Sequence, residues 1–313
     1  MFFCGCNLQV LNITIVGFNL QGFGNLNLLL FFLFAFSFTV KGQTLTLYSF
    51  PPPHPYRWNS PHRLLVSTIR NYLSKSACRP SRMLGHMVVE LKKDTAVFLT
   101  GMTSDKATDL KRSIVKDKIG LGVLFEPVSG HLEKKSQLQT ELKLRTETYK
   151  AAFISFKISD SVYHYLLAYI DSFKLRGYDK IYNGLNEPRA GTGSGCTAFG
   201  ISFLELIDAL IPEYSSNWAV HIKVPEKLIG DNRIQKKIKL SRVFFTFKWA
   251  TGKTAFKKLT LYEPYLIYQW VNKIWKKDLN NPTANYQFIK TGNARGLLVD
   301  SRSSMPVKPM FTK

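Results

Sequence analysis

Apolar and polar residues alternate along this chain in patterns that predict both helices and strands. Apolar positions recur at three- and four-residue intervals over 62–73, a spacing that indicates a helix. The proline-rich stretch before it, 51–61, is predicted to be a loop. A hairpin follows, with strands over 83–91 and 96–102 around a polar turn at 92–95.

The middle of the chain contains one clear strand-then-helix unit. The strand covers 151–158, and the helix is capped by Ser159 or Asp160 and runs to Arg176, with Gly177 marking its end. The segment before this unit, 103–150, is rich in Lys, Asp, Glu and Ser, so we expect exposed loops there with one short strand over 122–126. In the last third, the pattern predicts strands over 218–224 and 243–249 and a helix over 264–276.

A glycine-rich loop, 191–195, leads into a helix that begins at Cys196 and is closed by Pro212. One face of this helix is apolar and is formed by Phe199, Phe203, Leu206, Ile207 and Leu210. The sulfur therefore lies in the first turn, where free backbone N–H groups and the positive helix end favour a thiolate. Cys196 is the candidate nucleophile.

A thiol nucleophile needs a base, and His86 is the best candidate because it opens a β-branched strand after a glycine turn. Glu90 shares its strand face, but four residues of strand separate the two by about 13 Å, too far for a hydrogen bond. If the hairpin turns at Lys93–Asp94, Thr103 lies one diagonal from His86 and is the candidate third member of the site. A register slip of one residue would move Thr103 to the other face.

The order of these parts resembles the circularly permuted branch of the NlpC/P60 papain-like superfamily, which includes the lecithin:retinol acyltransferase-like proteins. A histidine on a hairpin strand comes first, then the strand FISFKI (153–158), a helix ending near Gly177–Tyr178, a loop with Tyr182–Asn183, and the cysteine helix last. The resemblance covers roughly 80–212. It implies an α+β fold: a permuted papain-like core whose antiparallel sheet packs on the cysteine helix, followed by a C-terminal α+β extension.

The resemblance also implies nucleophilic acyl transfer at amide or ester bonds, with cell-wall peptides the commonest substrates of exported members. The Cys196 thiolate would attack a carbonyl, and His86 would hold the thiol proton and return it to the leaving group. Backbone N–H groups of Gly195 and Thr197 would receive the oxyanion. Gly195 stands where that branch commonly carries Asn, so a non-catalytic envelope-binding protein with the same fold stays an alternative, as does a purely structural cysteine and histidine.

The beginning of the chain carries no charge before Lys41 and contains an apolar run over 28–40. This run has the length of a signal-peptide core and is short for a membrane-spanning helix. We therefore expect a leader over 1–42, a core over 43–212 and a basic extension over 213–313, with export to the periplasm, the cell envelope or the medium. A membrane anchor over 10–40 is the alternative. Cleavage near Gln43 would leave Cys78 and Cys196, which could also pair as a disulfide.

The chain is strongly basic, with 43 Lys and Arg against 21 Asp and Glu and a formal net charge of +22. Such a surface attracts anionic partners. We predict a strand over 235–240 whose Lys236, Lys237 and Lys239 bind an anionic cell-envelope polymer or a lipid surface, with a merely solvated basic face as the alternative.

Other common motifs are not satisfied. A phosphate-binding loop ending at Gly252–Lys253–Thr254 would need glycine where Phe247 stands, and Cys196 occupies the third-glycine position of a dinucleotide fingerprint. The histidines are scattered and show no metal-ligand spacing. The sequence therefore predicts no metal, no cofactor and no dedicated nucleic-acid motif.

Overall fold

The computed structural model of the chain describes residues 42–74, 84–105, 116–185, 187–278, 286–306 and 308–312. The predicted leader, apart from Gly42, and Cys78 lie outside these ranges. No helix within them is long and apolar enough to cross a membrane.

Strands and helices are numbered in chain order. The strands are β1 (Gln43–Phe50), β2 (His86–Lys93), β3 (Ala96–Thr100), β4 (Met102–Ser104), β5 (Val128–Leu132), β6 (Ala152–Ile158), β7 (Ile181–Tyr182), β8 (Ala219–Pro225), β9 (Phe256–Tyr262), β10 (Gln287–Thr291) and β11 (Ala294–Asp300). The helices are α1 (Pro61–Leu73), α2 (Lys135–Glu147), α3 (Asp160–Leu175), α4 (Cys196–Leu206), α5 (Pro212–Trp218), α6 (Leu240–Phe244) and α7 (Pro264–Asp278).

Within the described ranges, the central sheet has six strands in the order β10-β11-β6-β1-β2-β3. Neighbouring strands are antiparallel except β11 and β6, which are parallel, so the sheet is mixed where we expected an antiparallel one. Its central strand, β1, is absent from the predicted elements although Gln43–Phe50 alternates in polarity. The last third of the chain contributes β10 and β11 to this same sheet.

Helices cover both faces of the central sheet. Leu47 of β1 and Met87 of β2 point to one face, where they join residues of α3, α4 and α7 in the main core. Phe199 of α4 is fully buried there and packs beside Phe173 of α3, with ring centroids 5.2 Å apart. Tyr48 and its alternate neighbours face α2 on the other side. Burial of each large apolar side chain contributes about 1.5–3 kcal/mol, so this two-sided core fixes where α4 lies.

Two smaller sheets flank the central one. The first has the order β4-β5-β7, and the second pairs β8 with β9. The chain passes from the central sheet to the first small sheet at Gly101, between the end of β3 and the start of β4. This change of sheet positions one residue of the candidate site.

Several predicted elements are confirmed. The helix over 62–73 is α1, and the strand-then-helix unit is β6 and α3, with the Ser159 hydroxyl accepting a hydrogen bond from the Val162 N–H at the start of α3. The helix that begins at Cys196 is α4, the strand over 218–224 is β8 and the helix over 264–276 is α7. The α+β class is confirmed as well.

Other predictions are wrong, mainly in polar segments. Residues 122–124 belong to a short 3₁₀ helix, 125–126 follow it, and no strand forms there. The segment expected to form loops contains β5 and α2. Because α2 buries only Leu138 and Thr146, it shows too narrow an apolar stripe to be recognised. No strand forms over 243–249, since its first two residues belong to α6. The strand predicted over 235–240 is also absent: 235–239 is irregular with isolated bridges, and Leu240 opens α6. α4 ends at Leu206, before Pro212, which opens α5.

Candidate active site

Cys196 is the first residue of α4, with Gly195 as the N-cap, and its side chain is only 7% exposed. It is a free thiol, so the predicted alternative of a disulfide with Cys78 is not supported. A Cβ at position 195 would lie 2.6 Å from the Gly184 Cα, so only glycine lets the 183–185 loop cross the helix start. This explains why the position before the cysteine is glycine and not a larger polar residue.

His86 is the first residue of β2, the strand against which α4 packs. Its side chain is 2% exposed. The imidazole hydrogen-bonds the Cys196 sulfur, and the backbone of the next residue, Met87, also hydrogen-bonds it. The structure therefore brings together the two residues, 110 positions apart, that the sequence indicated as nucleophile and base.

A third residue, Glu133, completes the array. Its Oε2 lies 2.8 Å from His86 Nε2, and its side chain is 6% exposed. The Glu133 backbone is anchored at both ends: its N–H donates to the Gly101 carbonyl at 2.8 Å, and its own carbonyl accepts from the Thr100 hydroxyl at 3.1 Å. A carboxylate so placed orients the imidazole and stabilises its protonated form.

Glu133 takes the place that we expected for Thr103. If the β2–β3 pairing at Val89 and Thr100 continued for three more residues, Thr103 would lie opposite His86. The chain instead leaves the central sheet at Gly101, and Thr103 lies in β4 opposite His131. The pairing of β4 with β5 then carries Glu133, which follows β5, to the imidazole. No local pattern marks Glu133 in the sequence, because its position depends on this long-range pairing.

Gly101 leaves the space in which the histidine and the carboxylate meet. A Cβ at this position would lie 3.0 Å from His86 Nε2 and 3.3 Å from Glu133 Oε2. Any larger residue would push the two groups apart. The rejected candidate Glu90 lies elsewhere on β2 and accepts a hydrogen bond from the Tyr48 hydroxyl at 3.5 Å.

The environment of Cys196 favours ionisation of the thiol. Burial raises the pKa of Cys196, but the hydrogen bond from His86 and the positive charge of its ring lower it by more, and Thr197 and Met87 add smaller hydrogen-bond effects. The net result is a pKa of about 7, below the usual 9.0. Roughly half of the thiol is therefore a thiolate at neutral pH.

Polar groups surround the sulfur on the side of the helix start. The Tyr182 hydroxyl donates towards Cys196 Sγ over 3.9 Å, and the Thr197 hydroxyl lies 3.7 Å from it. Among the described residues, no side chain caps α4, so the first backbone N–H groups after Gly195 stay available to a ligand. From the sequence we expected Tyr182 only as part of a loop, and its hydroxyl is a functional group that no sequence pattern assigned.

An apolar cavity of about 250 Å³ adjoins the sulfur. Cys196 and Thr197 form part of its wall, and most of the rest is aliphatic or aromatic, including Leu65 of α1, Leu121 and Val243 of α6. This volume approaches the lower end of the roughly 300–1,000 Å³ range typical of ligand pockets.

Two glutamates line the cavity, Glu126 and Glu263, and Glu263 is the buried one. Glu263 is 3% exposed, and within the described part of the chain its Oε1 has no hydrogen-bond partner. Burial raises the pKa of Glu263 to about 7, with the Trp58 indole opposing the shift. Sequence patterns did not indicate this residue, because nothing local distinguishes a glutamate before a helix-starting proline.

The predicted binding lysines are exposed but do not lie on a strand. Lys236, Lys237 and Lys239 lie in the irregular segment before α6, and the Lys236 ammonium donates to the Glu226 carbonyl at 3.0 Å. Between them, Ile238 is buried against the residues around the cavity. The expected basic surface is therefore present on a loop and not on a strand.

Comparisons of the chain with protein-family models, with curated proteins and with solved structures find no match. Function is consequently inferred from the site itself.

Proposed function

We propose that the protein is a cysteine hydrolase or acyltransferase that forms an acyl-thioester at Cys196. The observation that supports this most is the buried array of Cys196, His86 and Glu133. The imidazole contacts the thiol on one side and the carboxylate on the other, and the thiol pKa is lowered. Buried groups with perturbed pKa values beside a cavity are typical of catalytic sites.

In the proposed reaction, Glu133 occupies Nε2 of His86, which leaves Nδ1 as the nitrogen that exchanges a proton with the sulfur. The Cys196 thiolate attacks the substrate carbonyl and forms the carbon–sulfur bond. The bond between the carbonyl carbon and the oxygen or nitrogen of the leaving group then breaks, and the imidazolium gives its proton to that departing alcohol or amine. Water, or a second acceptor nucleophile, gives a proton to His86 and releases the acyl group from the sulfur.

The oxyanion of each tetrahedral intermediate would be stabilised at the start of α4. The backbone N–H groups of Gly195 and Thr197 are the proposed donors, together with the Tyr182 hydroxyl. Donors that are already oriented before the reaction typically contribute about 10²–10³-fold each to the rate.

The size and apolar lining of the cavity suit a substrate with an aliphatic acyl chain. An apolar cavity of about 150 Å³ is large enough to bind benzene, so about 250 Å³ accommodates a short aliphatic chain. Glu263 would hydrogen-bond a polar group on that chain or an enclosed water. This lining favours fatty esters or amides over the charged cell-wall peptides suggested by the resemblance.

The permuted papain-like core, export and attraction to an anionic envelope polymer or lipid surface belong to the same proposal. The order of His86 on β2 and Cys196 on α4 supports the core, since α4 packs on the sheet through β2. The uncharged leader sequence and the net charge of +22 support export and an anionic partner. The alternative, a non-catalytic envelope-binding protein, predicts an inert thiol.

Acylation by p-nitrophenyl octanoate tests the proposal. Mass spectrometry should find one octanoyl group on Cys196, with a matching burst of p-nitrophenol. Replacement Cys196→Ala should abolish both the octanoyl adduct and the burst, while Cys78→Ala should leave both unchanged. Glu133→Gln should slow acylation at least tenfold because the imidazolium loses its carboxylate, whereas Glu90→Gln, on the same strand as His86, should acylate at the wild-type rate. Absence of an acyl-enzyme with this ester and with shorter ones would contradict the proposed function.

A further inference from the structure

One face of α1 exposes an apolar stripe. Val66, Ile69 and Leu73 recur at helical spacing and are 43%, 44% and 72% exposed. On the opposite face of the same helix, Leu64 is buried and lines the cavity. α1 is therefore apolar on both sides, and only one side has a partner in the described part of the chain.

The stripe continues onto α6 and the segment after it. The His62 ring, at the start of α1, lies 4.6 Å from the Phe244 ring and 4.8 Å from the Phe247 ring. Phe245, against Phe244, is 70% exposed, and Phe247 is 60% exposed. A hydrogen bond from the His62 N–H to the Thr246 carbonyl at 3.0 Å ties the two segments together. We call Val66, Ile69, Leu73, Phe244, Phe245 and Phe247 the apolar face.

Cations border the apolar face. Exposed basic residues stand beside it on both segments: Arg63, Arg70, Lys239, Arg242 and Lys248. The sequence contains no Asp or Glu in 51–89 or in 232–262, so no carboxylate from either segment offsets this charge. Large aromatic side chains ringed by Lys and Arg are suited to a surface that is anionic at the headgroups and apolar beneath them.

We propose that the apolar face docks on an anionic lipid bilayer, with Phe245 and Phe247 inserted among the acyl chains and the bordering cations at the headgroups. A soluble anionic polymer would satisfy the cations but would leave the two phenylalanines in water. Lipid therefore fits both features, and a polymer fits one.

The position of the apolar face relates it to the site. The inner sides of α1 and α6 line the cavity through Leu64 and Val243, and the apolar face is formed by the outer side of α1, by Phe244 of α6 and by the segment after it. Resting on the proposed function, docking through the apolar face brings the cavity that adjoins Cys196 to the bilayer surface. Docking itself requires no chemistry at the thiol.

Hydrogen exchange on the full chain with vesicles tests docking. With vesicles containing anionic lipid, amides of 62–73 and 240–249 should gain protection, and neutral vesicles should give much less. Because exchange is read by segment, binding through any other part of the chain does not produce this result. The chain carrying Cys196→Ala should show the same protection, which separates failure of docking from failure of the proposed function.

Variants make the test specific. The double variant Phe245→Ser, Phe247→Ser loses apolar burial and should weaken vesicle partitioning about tenfold or more. The double variant Arg242→Gln, Lys248→Gln loses two charges at the headgroups and should weaken partitioning about 30-fold at low salt. Matched controls are Leu175→Ser, at a leucine 90% exposed elsewhere, and Lys143→Gln with Lys180→Gln, at exposed lysines on α2 and beyond α3. Unchanged partitioning in the double phenylalanine variant, or equal protection by soluble polyglutamate, would overturn lipid docking.

Discussion

At the scale of single residues, the reactivity of Cys196 depends on His86. Burial by itself raises the thiol pKa, and the imidazole is the main opposing influence. The thiolate at neutral pH is therefore a property of the pair and not of the helix start alone. The first turn of α4, to which the sequence pattern assigned the ionisation, contributes through the Thr197 hydroxyl.

Replacement His86→Asn should return the Cys196 pKa to 9.0 or above, since burial then acts unopposed by a cation. At pH 7 the thiolate fraction would fall from about one half to about 1%, so alkylation by iodoacetamide should slow about 50-fold. The pH dependence of the alkylation rate measures this directly. His221→Asn, at an exposed histidine on β8, is the matched control and should retain a midpoint near pH 7. A wild-type profile in His86→Asn would show that the histidine does not ionise the thiol.

At the scale of elements, the site is assembled where the chain changes sheets. β3 pairs with β2, β4 pairs with β5, and the single residue between β3 and β4 is Gly101. Because β2 carries His86 and β5 leads into Glu133, this change of partner is what joins base and carboxylate. A regular hairpin would have presented Thr103 instead.

Gly101→Ala should therefore disturb both stability and function. The added Cβ would meet His86 Nε2 at 3.0 Å and the Met87 carbonyl at 3.0 Å, closer than ordinary contacts. Overpacking of this kind costs about 1–3 kcal/mol of unfolding free energy, which chemical denaturation would measure. Gly42→Ala, where nothing lies within 4 Å, is the control and should leave both unfolding and acylation unchanged. The acylation rate of Gly101→Ala should fall by more than the loss of folded protein explains. An unchanged acylation rate would show that the contact between His86 and Glu133 tolerates displacement.

At the scale of the whole molecule, the cavity draws residues from distant parts of the chain. Leu65, Leu121 and Val243 meet there with Cys196 and Glu263, and the burial of Glu263 couples the cavity to global stability. The folded-state pKa of about 7 lies above the usual 4.5, so the folded chain binds this proton more tightly than the unfolded chain.

The sign of the pH dependence follows from that difference. The contribution of Glu263 to unfolding free energy is fully present below about pH 4.5 and is lost as pH rises through about 7, a loss of about 3 kcal/mol. Glu263→Gln removes the titration, so the variant should gain stability relative to wild type between pH 5 and pH 8. Urea unfolding at both values measures the gain. Glu226→Gln, at an exposed glutamate, should show no such gain, and an equal response of the two variants would contradict the assignment to Glu263.

Short-range chemistry along the chain specifies part of this protein. Ser159 and Gly177 bound α3, and a glycine loop places Cys196 at a helix start, because caps and turns act over a few residues. The strand position of His86 follows from its neighbours in the same way. Glu133, Glu263 and the cavity depend on strand register, on the exchange of sheets at Gly101 and on packing between α1 and α6. These relations join residues far apart in the chain, and no short-range pattern of side chains encodes them, so only the tertiary fold decides which carboxylate reaches His86.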